Sequence, residues 1–226
     1  IDQLMQILEK KHIPILIEKP LFTNESDLAK LKKFKDQYKS HVWVAMEYRY
    51  MPPIQAFHEK ILEATGQIKM MTIKEHRFPF LEKVNDWNRF NKYSGGTLVE
   101  KCCHFFDLMR LIIKSEPTRI MASAGQSVNH LDENYDGETP DIIDNAYVIV
   151  DFKNNVRAML ELCMFAEGSR YQEEISAVGP IGKIEALVPG PGRFWPKDLG
   201  PAPTPKLIIS PRQPQGPIHK NVQVDE

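Results

Sequence analysis

His12-Ile13-Pro14-Ile15-Leu16-Ile17-Glu18-Lys19-Pro20 sets the fold class. Its apolar run is short and continuous and is closed by charge and proline, the pattern of a strand buried on both faces. Pro14 stands near its start, where a missing N–H is tolerated. Upstream, Leu4, Ile7 and Leu8 have helical spacing, and a helix is expected over 2–11. Downstream, Leu28, Leu31, Phe34 and Tyr38 repeat at helical spacing within Asn24 to Tyr38. Asn24 or Ser26 can cap that helix, and Glu25 and Asp27 lie where its dipole favours acid. Val42, Val44 and Met46 then alternate across His41 to Glu47. Residues 1–47 therefore read α-β-α-β, the end of a parallel, doubly wound α/β sheet.

The pattern changes after residue 47. Pro52-Pro53 opens a helix through Glu63 that Gly66 stops. A long strand is expected over 67–78, a loop over 86–94 and an unbroken helix over 98–113. Strands follow near 118–127, 142–152, 155–165 and 171–179, with Asn154-Asn155 as a hairpin turn. Successive strands without intervening helices pair antiparallel. Residues 48–226 thus read as an α+β domain whose open, mainly antiparallel sheet packs on helices such as 53–64 and 98–113, leaving a face for a homo-oligomer. Nine of the 17 prolines fall within 189–217, so that stretch is expected to be neither helix nor central strand. Ile1 opens directly in helix-like sequence, and Asn221 to Glu226 alternates like the start of a strand. Both ends suggest a piece of a longer protein, incomplete at its C-terminus.

Composition narrows the function. Hydrophobic residues are 42% and charged residues 26%, ordinary for a globular chain. With 29 basic and 30 acidic residues the net charge is −1, which gives no electrostatic case for nucleic acid or an anionic membrane. No apolar run is long enough to span a bilayer. Three cysteines, two of them adjacent, make a disulfide framework unsuitable and favour a reducing, cytoplasmic setting.

Two places can carry chemistry. Lys19 ends the apolar strand, and ligands of open α/β sheets bind outside the carboxyl ends of strands. A partly desolvated lysine there suits proton transfer or a hydrogen bond to a substrate hydroxyl. Pro20 fixes the turn, at a bond type that admits the cis form. The plainer alternative is a surface Glu18-Lys19 pair at a strand end. The second place is Gly95-Gly96 and the helix after it. Only Glu100, Lys101, His104, Asp107 and Arg110 are polar within 98–113. On one helix Glu100, His104 and Asp107 would lie within about 60° of each other. Glu100, four residues before His104, would then bias the tautomer and pKa of a general acid/base. The alternative is a solvated strip on a core helix. Cys102, Cys103 and His104 point about 100° apart in turn and do not converge on a metal. Gly190-Pro191-Gly192 lacks the third glycine and the following helix of a dinucleotide loop. His130, Asp132, Asp136 and Asp141 give the middle loop a polar composition suited to hydroxyl groups, and the plainer reading, which is preferred, is a solvated loop.

Taken in order, these segments resemble the Gfo/Idh/MocA oxidoreductases. Glu18-Lys19-Pro20 is similar to the family's EKP motif. Glu47-Tyr48-Arg49-Tyr50-Met51-Pro52 resembles RY-x-P, and Gly66-Gln67-Ile68 the turn before the long strand. Asp86-Trp87-Asn88 resembles the W-R loop near the nicotinamide. Gly95 to Asp107 resembles GG-x-L-x-D-x-G-x-H-x-x-D.

The resemblance implies a Rossmann dinucleotide-binding domain, of which 1–47 is the C-terminal remnant, followed by a substrate-binding and oligomerisation domain. It implies NAD or NADP as cofactor and a sugar, polyol or related hydroxy compound as substrate. Lys19 would be the catalytic lysine, His104 the general acid/base, and Glu100 a third catalytic residue where the family usually has Asp. Glu18, Lys19, Pro20, Trp87 and Asn88 would meet the cofactor, although the usual Arg is absent at 88 and stands at 89. Cys102 replaces a usual Gly. The phosphate-binding loop and the acid that reads the ribose would precede residue 1, so these 226 residues alone would bind the dinucleotide poorly. Two alternatives stay open. One is an NAD-dependent glycoside hydrolase on the same scaffold; the other is a non-catalytic sugar-binding or dimerisation module. Loops 78–94, 129–141 and 189–217 would select the substrate.

Overall fold

The computed structural model describes residues 1–8, 10, 12–213 and 219–224. Helix α1 (Asp2–Leu8) leads to strand β1 (Ile15–Ile17), helix α2 (Leu28–Gln37) and strand β2 (Val42–Val44). β1 and β2 pair in parallel, Ile15 opposite Val42 and Ile17 opposite Val44. A 3-10 turn over Glu25–Asp27 precedes α2, with the Asn24 side chain accepting from the Ser26 N–H. Leu4, Phe34 and Tyr38 form a small core here, joined by Ile15, Ile17 and Leu21. The Tyr38 hydroxyl both accepts from the Ile13 N–H and donates to the Ile13 carbonyl, which ties the end of α2 to the start of β1. Of the helix expected over 2–11, Asp2–Leu8 is helical, and residues 9 and 11 lie outside the described residues. Within these 226 residues one face of the strand is covered and the other is not. Side chains alternate along a strand, and the side that carries Leu16 is open, leaving Leu16 74% exposed.

A 3-10 turn (Glu47–Tyr50) carries the chain into helix α3 (Pro52–Thr65), which Gly66 ends with φ 68°. Strand β3 (Met70–His76) follows. The segment 86–94, expected as loop, holds a 3-10 turn (Val84–Arg89) kinked by left-handed Asn85 and Asp86, then helix α4 (Asn91–Ser94). Helix 98–113 is not continuous. It divides into α5 (Thr97–Glu100) and α6 (Cys103–Ile113), separated at Lys101–Cys102.

Strands β4 (Pro117–Gly125), β5 (Asn145–Phe152), β6 (Arg157–Cys163), β7 (Glu173–Gly179) and β8 (Gly182–Val188) complete most of the second sheet. The proline-rich tail adds β9 (Lys206–Pro211), and β10 (Lys220–Val222) closes the series. β9 lies between β8 and β10, which corrects the expectation that 189–217 holds no inner strand. Its prolines explain this: Pro205 and Pro211 flank Leu207-Ile208-Ile209-Ser210 and leave those N–H groups free to pair. Residues 214–218 of the tail lie outside the described residues.

The sheet order is β10-β9-β8-β7-β3-β6-β5-β4, open at both ends. β3 and β6 run parallel and the other neighbours antiparallel. One face packs on α3 and α6 through Phe57, Ile61, Phe105, Leu108 and Ile112, against Ile73, Leu160 and Ile184. On the same face, α3 lies across β8 and β9. The other face carries half-buried Thr72, Lys74, Glu174 and Lys183.

Candidate active site

Two glycines bring the halves of the site together. Gly95 (φ 75°) ends α4 and Gly96 (φ 85°) starts α5. A Cβ on Gly95 would stand 3.0 Å from the Thr23 carbonyl oxygen, so glycine lets α5 approach the loop that follows β1. Glu100 at the end of α5 then meets Lys19. The ammonium donates to Glu100 Oε1 at 3.0 Å and to the Glu100 backbone carbonyl at 2.9 Å. Both side chains are mostly shielded from solvent. The Lys19-Pro20 peptide is cis.

His104 lies in the first turn of α6 and is 2% exposed. Its ring lies flat on Tyr48, with centroids 4.5 Å apart and planes 10° apart. Nδ1 is buried without a hydrogen-bond partner among the described residues, and Nε2 is 3.9 Å from the carboxylate of exposed Glu47. Burial first, then the positive charges of Lys19 and Lys101, pushes the imidazole down to about 3. At neutral pH it is therefore uncharged, with one lone pair able to accept a proton.

The stripe expected on one helix face is divided between partners. Glu100 hydrogen-bonds Lys19 rather than holding His104, because the helix breaks between them and a cation lies opposite the carboxylate. Asp107 forms a two-pronged ion pair with Arg49. Of the other expected residues, Glu18 is exposed, while Pro20 and Trp87 are half-buried. Asn88 is buried, and its amide donates to the Leu81 carbonyl and accepts from Arg89. A groove of about 680 Å³ runs beside the site, walled by Pro20, Trp43, Val44, Cys103 and Phe106. Lys19, Glu100 and His104 are not among its lining residues, although Pro20 and Cys103, their neighbours in sequence, are.

Two polar clusters join residues that no pattern in the sequence connects. Behind His104, Lys101 Nζ donates to Tyr48 Oη at 2.7 Å and pairs with Glu75 Oε1 at 3.0 Å. Tyr48 in turn donates to Glu173 Oε1 at 3.1 Å, and Arg77 also bonds Glu75. Strand period was the available signal: Met71, Ile73 and Glu75 share the inward face of β3, and Glu173, Ile175 and Ala177 that of β7. The second cluster lies in the 129–141 loop, which was read as solvated. There Glu133 accepts from buried Arg89 at 2.8 Å and from Tyr135 at 2.7 Å, and lies 2.7 Å from His130 Nδ1. Burial works to raise the Glu133 carboxyl, but hydrogen bonds from His130, Tyr135 and Arg89 outweigh it and hold it at about 2.

An open mixed sheet backed by helices and joined to a parallel β-α-β unit is the fold of known oxidoreductases. The chain superposes with a TM-score of 0.76 on an NAD binding oxidoreductase from Klebsiella pneumoniae, at 14% identity, over 99% of this chain and 57% of that one. The WlbA dehydrogenase of Bordetella pertussis, solved in complex with NADH and UDP-GlcNAcA, matches with a TM-score of 0.64 at 15% identity, over 81% and 54% of the two chains. The rhizopine catabolism protein MocA of Rhizobium meliloti is 21% identical over 188 residues, covering 82% of this chain and 54% of its own. The chain thus spans about half the length of each of these. The C-terminal alpha/beta domain of the Gfo/Idh/MocA oxidoreductase family matches residues 59–194, and the chain belongs to that family. Among the described residues, no helix is long and apolar enough to cross a membrane.

Proposed function

We propose that this chain is the acid–base and substrate-holding part of a nicotinamide-dependent oxidoreductase. Its substrate is a sugar, polyol or related hydroxy compound. Residues 1–47 form the end of the dinucleotide-binding domain, and 48–226 form the substrate domain. One observation carries this reading: an ammonium at the end of a parallel strand is bonded to a carboxylate four residues before a buried imidazole.

The residues present fit one end of NAD or NADP. Glu18, Lys19 and Pro20 lie outside the carboxyl end of β1, where α/β sheets receive ligands, and Trp87 is half-buried in its loop. The family resemblance puts these residues toward the nicotinamide end of the dinucleotide. Bound nicotinamide supplies the hydride acceptor. Lys19 exchanges one of its bonds to Glu100 for a bond to the substrate oxygen and supports the negative charge that develops there. His104, neutral at the start, takes the hydroxyl proton as the carbinol becomes a carbonyl.

The test is steady-state turnover of the full-length protein with NAD and NADP over a panel of sugars and polyols. Lys19→Ala and His104→Ala should each lower turnover by about a hundredfold or more. Turnover near wild type in both variants would overturn the assignment. Free sugar released without net cofactor reduction would assign glycoside hydrolysis instead. No binding of either dinucleotide in calorimetric titration would leave only a binding module.

A further inference from the structure

The orientation of His104 needs a physical cause. A histidine that moves protons is commonly held by a hydrogen bond from its second nitrogen to a carboxylate or carbonyl. Here Nδ1 has no such partner among the described residues, and the nearest carboxylate to Nε2 belongs to exposed Glu47 at 3.9 Å. The ring is instead stacked on Tyr48, with centroids 4.5 Å apart. Tyr48 is itself clamped. Its hydroxyl accepts from Lys101 Nζ at 2.7 Å and donates to Glu173 Oε1 at 3.1 Å, so both its hydrogen-bonding roles are filled. Lys101 is held in turn by Glu75, Glu75 by Arg77, and Glu173 by the Gln172 amide. Glu75, Lys101 and Glu173 are all buried.

Burying such a network is expensive, and replacing it with apolar side chains is often neutral or stabilising. A role in fixing geometry accounts for its presence. We propose that Tyr48 and Lys101 are positioning residues for His104: the phenol ring sets the plane of the imidazole by stacking, and Lys101, Glu75 and Glu173 lock the phenol in place. The inference rests on the acid–base role given to His104 above. Lys101 has a second effect, because its charge disfavours a proton on the imidazole. The charged groups around His104 are Lys19 and Glu100 beside it and Lys101 in the break between α5 and α6. Glu47 lies 3.9 Å from Nε2, Asp107 stands three residues on along α6 and pairs with Arg49, and Glu75, Arg77 and Glu173 lie behind Tyr48.

The experiment follows the His104 ring by NMR in the full-length protein and measures kcat, KM and the pH profile in parallel. In Tyr48→Leu the ring protons should lose the shielding given by the stacked phenol, and kcat should fall by up to about a hundredfold with KM little changed. In Tyr48→Phe the ring remains but the clamp is lost, so the His104 signals should broaden and kcat should fall less. Lys101→Met should raise the His104 titration midpoint, and Lys101→Arg should restore it. Unchanged His104 signals and kcat in either Tyr48 variant would overturn the proposal, even if His104→Ala is inactive. The NMR readout does not depend on turnover. A full set of ring shifts with an active His104→Ala would therefore sink the catalytic reading while the stack stood.

Discussion

Lys19 and Glu100 show what one residue can settle. The ammonium is bonded twice by a single residue, through carboxylate and backbone carbonyl, with both side chains mostly out of solvent. Such a pair should contribute more than an open surface pair, which is worth about 0–1 kcal/mol. A double-mutant cycle of Lys19→Met and Glu100→Gln, followed by urea unfolding, should give a coupling of about 1–2 kcal/mol. Effects that add within ~0.3 kcal/mol would mean that the pair holds nothing together. The residue types at this site were legible because Lys19, Glu100 and His104 each stand out against apolar surroundings. Their pairing was not. Glu100 was matched to His104 by helix geometry, but its partner comes from 81 residues upstream. Tyr48 and Glu173 are 125 residues apart, and no local pattern announces that contact.

At the scale of elements, local chemistry spoke where periodicity or caps were strong. Pro52-Pro53 and Gly66 bound α3, and alternation marks β3, β5, β6 and β7. The break between α5 and α6 falls at Lys101–Cys102, with neither glycine nor proline to mark it. β8 follows β7 with only two residues between and is not among the strands expected from sequence, and the prolines around β9 mask its apolar run. The β7–β8 hairpin also carries a packing requirement. A Cβ on Gly179 would lie 2.2 Å from the Thr65 carbonyl oxygen and 2.6 Å from that of Gln67, backbone atoms that cannot swing aside. Gly179→Ala should push the hairpin away from the end of α3 and cost about 1–3 kcal/mol in urea unfolding. Gly168→Ala, with nothing within 4 Å of the new methyl, should stay within about 0.5 kcal/mol of wild type. Equal stabilities for the two variants would show that the hairpin does not bear on α3.

Across the whole molecule, two buried groups tie stability to pH in opposite directions. His104 is pushed from 6.5 to about 3. Between those values the unfolded chain binds a proton that the folded chain refuses, so this group's contribution is lost as pH falls from 6.5 toward 3. Glu173 is raised from 4.5 to about 7, by burial first and then by the charge of Glu75. Between those values the folded chain holds the proton that the unfolded chain releases, so its contribution is lost as pH rises from 4.5 to 7. The windows overlap from 4.5 to 6.5, where the two slopes oppose each other. Glu173→Gln keeps an uncharged group of the same shape and removes only the second dependence. Its melting temperature relative to wild type should therefore rise from about pH 5 to about pH 8, by a stability difference of order 1–3 kcal/mol. Losing bonds to Tyr48 would lower the variant equally at every pH, so the slope reads the carboxyl's charge and not the repacking. A difference that stays level across that range would mean that Glu173 ionises as freely inside the fold as outside it. The buried network behind His104 would then hold a full negative charge that its neighbours already neutralise.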